Sequence, residues 1–366
     1  MRRILCISHS ASLHGAERVL LEAVRLWTAA GAEVWVAVPS VVKEEGMRAA
    51  LAEIIGNTHI LSLPYRAAGE TLLRTISVWI YNLYAVRKLS RWIREKEIDM
   101  IVSNTSITIL GAQISKVTGV RHIWYFHESA DSLYGWRSSL TPLYRRWMTP
   151  ATSCIFLSHA QQSEWEKAIG LMLHGEIIYN PLPFIPEIPN KESHRALRIG
   201  YAGGFEKRKN IPFLLSAFTR FHREYPNSEL WLCGARDDEE KGLWQERGGE
   251  GVRVMNHITE MGNFYNGIDI FVLPSLAESW GLAAVEAMAA GVCTIISSVS
   301  GLRELYRDKE NCLFLSPTDE DAWVQAFEKY TDPKVRSAIA QAGQKRTQTL
   351  DLNGCFKEKI TQILCE

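Results

Sequence analysis

Residues 268–291 read IDIFVLPSLAESWGLAAVEAMAAG, and the order of residue types in that stretch decides how the surrounding chain is built. Ile268 to Leu273 is an apolar run of β-branched and aromatic residues, and Pro274, which cannot donate to a sheet ladder, ends the strand it predicts by Ser275. From Gly281 the run Leu282-Ala283-Ala284-Val285 predicts a helix of good propensity, closed at Gly291 by a left-handed glycine. Glu278 falls at the mouth of that helix and Glu286 inside it.

Glu286 is the one charged residue between Leu282 and Ala290, flanked by Ala and Met. An unpaired buried carboxylate is costly, so this one calls for a polar partner such as a ligand hydroxyl or a backbone donor. The competing reading is a glutamate on the solvent face of an amphipathic helix. A helix that starts directly after a strand also presents free amides to anions, so the backbone near Ser279, Gly281 and Leu282 is a candidate phosphate seat.

Working outward, the same grammar recurs twice. Ile4–His9 reads as a buried strand, Ser10–Ala16 as a loop, Glu17 to about Ala30 as a helix and Val34–Val38 as the next strand. Further strands are expected near Met100, from Arg121 to Phe126, from Ser153 to Leu157 and near Glu176. Four prolines between Asn180 and Pro189 then mark a stiff linker. The pattern restarts with a strand at Leu197–Ala202, a glycine loop, a helix from about Ile211 to Tyr225, and strands at Leu230–Gly234 and Val252–Met255. The expectation is an α/β chain of two doubly wound, Rossmann-like domains, residues 1–185 and 186–349, facing a deep interdomain cleft, with a C-terminal helix at about 350–366 that can pack back on the first.

Three loops are placed at the cleft. Gly203-Gly204-Phe205-Glu206-Lys207-Arg208-Lys209-Asn210 combines glycines that let backbone approach a ligand with fixed cations at a helix start, as a diphosphate requires, although two basic residues in a turn are often simply solvated. Ser12–Glu17, containing Gly15, reads equally as an ordinary tight turn. Trp124–Ser129 ends an aromatic strand on His127, either a hydrogen-bonded core residue or a group that orients a reacting hydroxyl.

Composition adds exclusions. The 366 residues carry 41 Lys and Arg against 41 Asp and Glu, so no global charge draws the chain to nucleic acid. The first 185 residues hold 19 basic and 15 acidic residues, a mild asymmetry. Seven scattered cysteines without a Cys-x-x-Cys pair suggest neither zinc nor disulfides, and a reducing cytoplasm fits. The apolar stretch after Met1-Arg2-Arg3 is too short for a signal peptide, and no stretch suits a membrane span.

These features together resemble glycosyltransferase family 4, the retaining, nucleotide-sugar-dependent transferases of the GT-B fold. The resemblance runs through Gly15–Val19, His127-Glu128, the glycine loop with Lys209-Asn210, Phe271–Ser275, the Glu278/Glu286 pair and the turn from Gly301 to Glu304. It implies that Glu286 binds ribose hydroxyls, Glu278 lies against the donor sugar, and Arg208 and Lys209 hold the diphosphate with the amides near Ser279, Gly281 and Leu282. Gly15, Gly203 and Gly204 would allow close approach of the donor, and His127 would touch the transferred sugar or the acceptor. The resemblance further implies a hexosyltransferase needing no cofactor and no metal, with a UDP- or GDP-linked sugar as donor and a glycan or lipid-linked acceptor, at work in surface polysaccharide or glycolipid assembly. Gly204 stands where many members have arginine, His14 replaces a common glycine and Cys293 a common proline.

Asp237–Glu240 reads as a solvated acidic loop rather than a metal site. On a helix expected from Tyr84 to Lys96, Arg87, Arg91 and Arg94 share a face with Lys88 beside them and Trp92 near its edge; Arg137, Arg145 and Arg146 lie among Trp136, Tyr144 and Trp147. That face suits peripheral contact with an anionic membrane on its cytoplasmic side, and equally a plain solvated helix. The alternatives to a transferase are a catalytically silent sugar-nucleotide-binding scaffold subunit and a phosphorylase.

Overall fold

A computed structural model describes residues 1–13, 15–40, 46–66, 72–130, 145–147, 152–182, 195–258, 261–299 and 301–365. His14, Trp136, Arg137, Tyr144 and the proline stretch from Pro183 to Pro189 lie outside them. The chain divides into two compact units, Met1–Pro181 with Asn353–Glu366, and Leu182–Leu352.

The first unit contains strands β1 (Arg3–Ser8), β2 (Glu33–Pro39), β3 (Ile60–Leu63), β4 (Met100–Asn104), β5 (Arg121–Tyr125), β6 (Thr152–Phe156) and β7 (Gly175–Ile177). Between them run helices α1 (Gly15–Ala29), α2 (Gly46–Ile55), α3 (Leu72–Glu95), α4 (Leu110–Thr118) and α5 (His159–Ile169). Their strands form one parallel sheet in the order β3-β2-β1-β4-β5-β6-β7. The central strands are continuous apolar runs because helices cover both sheet faces, and β4 is buried along its whole length. Trp92 is not at the edge of a membrane face, since its ring packs edge-on against Trp35 with centroids 5.4 Å apart. Trp147 likewise is buried in the core with Phe126, Phe156 and Trp165, so it does not join the expected basic and aromatic face, while Arg145 is exposed and donates to the Ile169 and Gly170 carbonyls. Large aromatic area gains more from core burial than from a wet surface.

The second unit contains β8 (Leu197–Ala202), α6 (Ile211–Glu224), β9 (Ser228–Ala235), α7 (Asp238–Gly248), β10 (Val252–Asn256), α8 (Gly262–Asn266), β11 (Ile270–Leu273), α9 (Leu282–Ala289), β12 (Cys293–Ser297), β13 (Leu313–Leu315), α10 (Glu320–Lys329) and α11 (Pro333–Leu350). Its parallel sheet has the order β10-β9-β8-β11-β12-β13. Asp237 caps α7 by accepting from the Glu240 amide at 2.8 Å, and Glu240 pairs with Arg236, so the acidic run is a helix start.

A last helix, α12 (Leu352–Gln362), returns to the first unit. Its Ile360 carbonyl accepts from the Trp27 indole at 2.6 Å, Lys359 donates to the Ile177 carbonyl at 2.7 Å, and Phe356 and Ile360 are buried.

Two predictions follow from this packing. Ile360→Ala lowers the unfolding free energy of the first unit by about 2–5 kcal/mol through the lost side chain and the cavity it leaves, measured by urea denaturation. His122, buried in β5 with Ser103 Oγ at 2.9 Å, has its pKa pushed down by burial to about 3, against 6.5 ordinarily. A depressed folded-state value stabilises above pH 6.5, and that stability drains as pH falls toward 3 because only the unfolded chain takes the proton. Wild type therefore loses about 1.4 kcal/mol per pH unit more than His122→Asn between pH 6 and 4, as read from denaturant midpoints.

Candidate functional site

Strands β8 and β11 lie side by side where the order of the second sheet reverses, the place at which open α/β sheets bind ligands beyond their strand ends. The glycine loop leaves β8 and the Glu278 loop leaves β11, so the topology brings together two segments about 70 residues apart in sequence. They are stitched to each other by backbone and side chain. The Leu276 amide donates to the Arg208 carbonyl at 2.8 Å, and Asn210 Nδ2 donates to the carbonyls of Pro274 at 3.2 Å and Pro317 at 2.9 Å. Asn210 adopts φ +60°, a conformation asparagine tolerates better than most residues, and so turns the chain into α6.

Within this seat Lys209 Nζ meets Glu278 Oε2 at 2.6 Å, with side-chain exposures of only 12% and 9%. Ser275 Oγ donates to the same oxygen at 3.2 Å. Burial pushes the Glu278 carboxyl up, but the charges of Lys209 and Arg208 outweigh it and hold the group below its ordinary value. The site therefore keeps an ionised carboxylate beside two cations.

Gly203 and Gly204 are pinned from below. The Gly203 amide donates to the Cys233 carbonyl at 2.9 Å, and Tyr201 Oη donates to the Gly204 carbonyl at 2.6 Å. Gly203 has φ +150°, and a Cβ on Gly234 would run into the Gly203 carbonyl, so two glycines are required where the β8 and β9 ends meet.

Helix α9 starts at Gly281, which has φ +91° and supplies no side-chain cap. Ser279, Gly281 and Leu282 are thus placed at its amino end, beside Glu278. Glu286 lies farther along α9 and is 6% exposed. One polar partner is a tyrosine: Tyr265 Oη donates to Glu286 Oε2 at 2.7 Å from the short helix α8. Tyr265 is itself fully buried. Nothing in the local sequence pairs residues 21 apart, and only the folded chain brings the two side chains together.

Gly15 and His127 belong to the first unit. Gly15 opens α1, and a Cβ there would meet nothing, so packing alone does not demand glycine. His127 is half-buried just after β5, its ring tilted 32° against that of Tyr125 with centroids 4.1 Å apart, and its Nε2 is 3.0 Å from Asn104 Oδ1. Burial pushes its pKa down to about 3, so the ring is neutral at physiological pH. Close by, His9 Nδ1 lies 3.0 Å from Glu17 Oε1, and Glu17 is fully buried. Burial opposes both charges, yet each outweighs it for the other: His9 is held above and Glu17 below its ordinary value. Neither His9 nor Glu17 was marked by the sequence as a site residue, because strand-end position alone does not show which side chains meet. Among the described residues no group of three or more His, Cys, Asp or Glu is placed to hold a metal ion.

Comparison with known proteins matches the same two units. Residues 13–183 match the family model described as Glycosyltransferase Family 4, and residues 185–346 match that described as Glycosyl transferases group 1. The O-antigen chain mannosyltransferase B of Escherichia coli is 38% identical over 171 residues, covering 44% of this chain and 44% of that protein. The capsular polysaccharide biosynthesis glycosyltransferase CapM of Staphylococcus aureus is 28% identical over 156 residues, 41% of each chain. These matches span less than half the length of the relatives themselves. Among solved structures, sucrose-phosphate synthase from Thermosynechococcus elongatus superposes with a TM-score of 0.80 at 19% identity, covering 100% of this chain and 98% of that one. Anabaena HepE in complex with UDP-glucose superposes with a TM-score of 0.77 at 18% identity over the whole of both chains. With one family model on each unit and the shared fold running the full length, the chain belongs to the GT-B glycosyltransferases of family 4.

Proposed function

We propose that this protein is a retaining hexosyltransferase that moves a sugar from a nucleoside-diphosphate donor to a hydroxyl of a glycan or lipid-linked acceptor in surface polysaccharide or glycolipid assembly. The observation that carries this reading is the buried Lys209–Glu278 pair at the β8/β11 switch point, with Arg208 and the start of α9 beside it. A diphosphate in that seat meets two cations and the amino end of α9 near Ser279, Gly281 and Leu282, while Glu278 faces the sugar. Glu286, positioned by the hydrogen bond from Tyr265, binds the ribose hydroxyls. Gly15, Gly203 and Gly204 let the donor approach, and His127 contacts the transferred sugar or the acceptor. The names of the relatives support the process, and the neighbour solved with UDP-glucose supports the donor class.

In the proposed reaction the bond from the anomeric carbon to the leaving phosphate breaks, and the acceptor oxygen bonds to that carbon on the same face. The acceptor proton passes to the leaving diphosphate. Arg208, Lys209 and the α9 amides stabilise the developing negative charge, so no metal or other cofactor is required.

We also propose peripheral contact with an anionic membrane through α3, on the cytoplasmic side. Ile76, Ile80, Leu83 and Tyr84 are 39%, 58%, 43% and 60% exposed, and the same helical face continues through exposed Arg87, Arg91 and Arg94. An apolar half to enter the acyl boundary and a cationic half to meet phosphate headgroups is the pattern of an interfacial helix. Among the described residues no helix is long and apolar enough to cross a membrane.

Turnover of radiolabelled nucleotide sugars tests the enzyme reading. Lys209→Ala is expected to lower kcat about 10²–10³-fold, and Glu286→Gln to raise the donor KM about tenfold or more, with rates unaffected by chelator. Donor binding without turnover would instead identify a silent scaffold subunit, and loss of activity in chelator with recovery in manganese would contradict the metal-free mechanism. For the membrane, co-sedimentation with phosphatidylserine vesicles at low salt is expected. The Arg87→Ala/Arg91→Ala protein should bind about thirtyfold more weakly, from about 1 kcal/mol for each lost cation; absence of binding by the wild type rejects the contact.

A further inference from the structure

Three strand ends of the first unit converge on one imidazole. The order of the sheet sets β1, β4 and β5 side by side, so His9, Asn104 and His127 meet at its carboxyl edge with Glu17 from α1. Asn104 is fully buried at the end of β4, and its Nδ2 donates to the Ala16 carbonyl at 3.1 Å. A carbonyl can only accept, so this bond fixes which way round the amide lies. Oδ1 then faces His127 Nε2 at 3.0 Å, and an amide oxygen also only accepts.

We propose that Asn104 is a positioning residue that holds His127 as the Nε2–H tautomer, with the lone pair on Nδ1. This goes beyond the contact assigned to His127 above and rests on that reading only for its catalytic meaning: a hydroxyl that meets Nδ1 must donate to it. The ring is neutral, as its lowered pKa requires, so the two nitrogens have opposite hydrogen-bonding roles.

The surroundings hold Asn104 rather than His127 alone. Thr105, the next residue, sits at φ +133°, a backbone conformation that costs a non-glycine residue free energy and persists only where neighbours enforce it. Those neighbours are visible. Thr105 and Thr108 share a hydroxyl hydrogen bond of 3.0 Å, and the Ser106 amide and hydroxyl donate to Glu128 Oε2 at 3.0 and 2.8 Å. On the other side the Asn104 backbone carbonyl favours the protonated His9 ring, which the buried Glu17 carboxylate neutralises. A strained turn and a buried ion pair thus grip the amide that selects the tautomer.

Long-range ¹H–¹⁵N correlation of the ¹⁵N-histidine-labelled full chain at pH 7, without ligand, tests this directly. The His127 signals are assigned by their loss in His127→Gln. The wild type is expected to show His127 as neutral Nε2–H, and Asn104→Ala to show a mixture of tautomers or Nδ1–H. A wild-type ring that is Nδ1–H or doubly protonated overturns the proposal, as does an unchanged tautomer in folded Asn104→Ala. Should that variant not fold, the wild-type spectrum alone decides. Because no substrate is present, the tautomer stands or falls separately from transferase activity.

Discussion

The arrangement of the second unit depends on a lysine and a glutamate removed from water together. Either charge buried alone in the β8/β11 seat would cost several kcal/mol, and each is tolerated because the other lies within 2.6 Å. Such a pair is weak evidence for stability, since apolar residues of similar volume often do as well. It makes sense as chemistry held ready. On the proposed reading an anionic ligand competes with Glu278 for Lys209, so binding trades one counterion for another in a partly buried site where both charges have already lost most of their water contact.

The same economy recurs at the other polar positions. Glu286 is buried against Tyr265, His127 against Asn104, and His9 against Glu17, each partner arriving from a different element of the same unit. In every case one polar atom is held by the scaffold, and this fixes the direction in which the rest of the side chain points. Orientation enforced by a second residue is what separates a site able to bind a transition state from a set of charges that is merely nearby. The strained Thr105 and the crowded Gly203–Gly234 contact belong to the same account, for both are backbone compromises at strand ends that packing elsewhere sustains.

Much of this was legible in the sequence because α/β units announce themselves locally. The strand-Pro274-loop-helix grammar located β11 and α9, and the lone glutamate in an alanine-rich helix demanded a partner. The identity of that partner was not legible. Tyr265 is 21 residues away in a five-residue helix, and no periodicity links the two. Short strands such as β3 and β13 carry too few residues to show alternation and are defined by pairing to a neighbour. Trp92 was misplaced because helical spacing gives a face and not its direction; the apolar side of Trp35 decides it. Asn104 escaped notice altogether, since an asparagine at a strand end has no signature until three strands are seen side by side.

The central claim is that the seat formed by the β8 and β11 loops holds the nucleoside diphosphate of the donor. A crystal structure of the protein with bound UDP or GDP tests it most directly. The account predicts phosphate oxygens within hydrogen-bond reach of Arg208 or Lys209 and of the first amides of α9, with ribose hydroxyls on Glu286. Electron density for the nucleotide away from both Glu278 and Glu286 would contradict it.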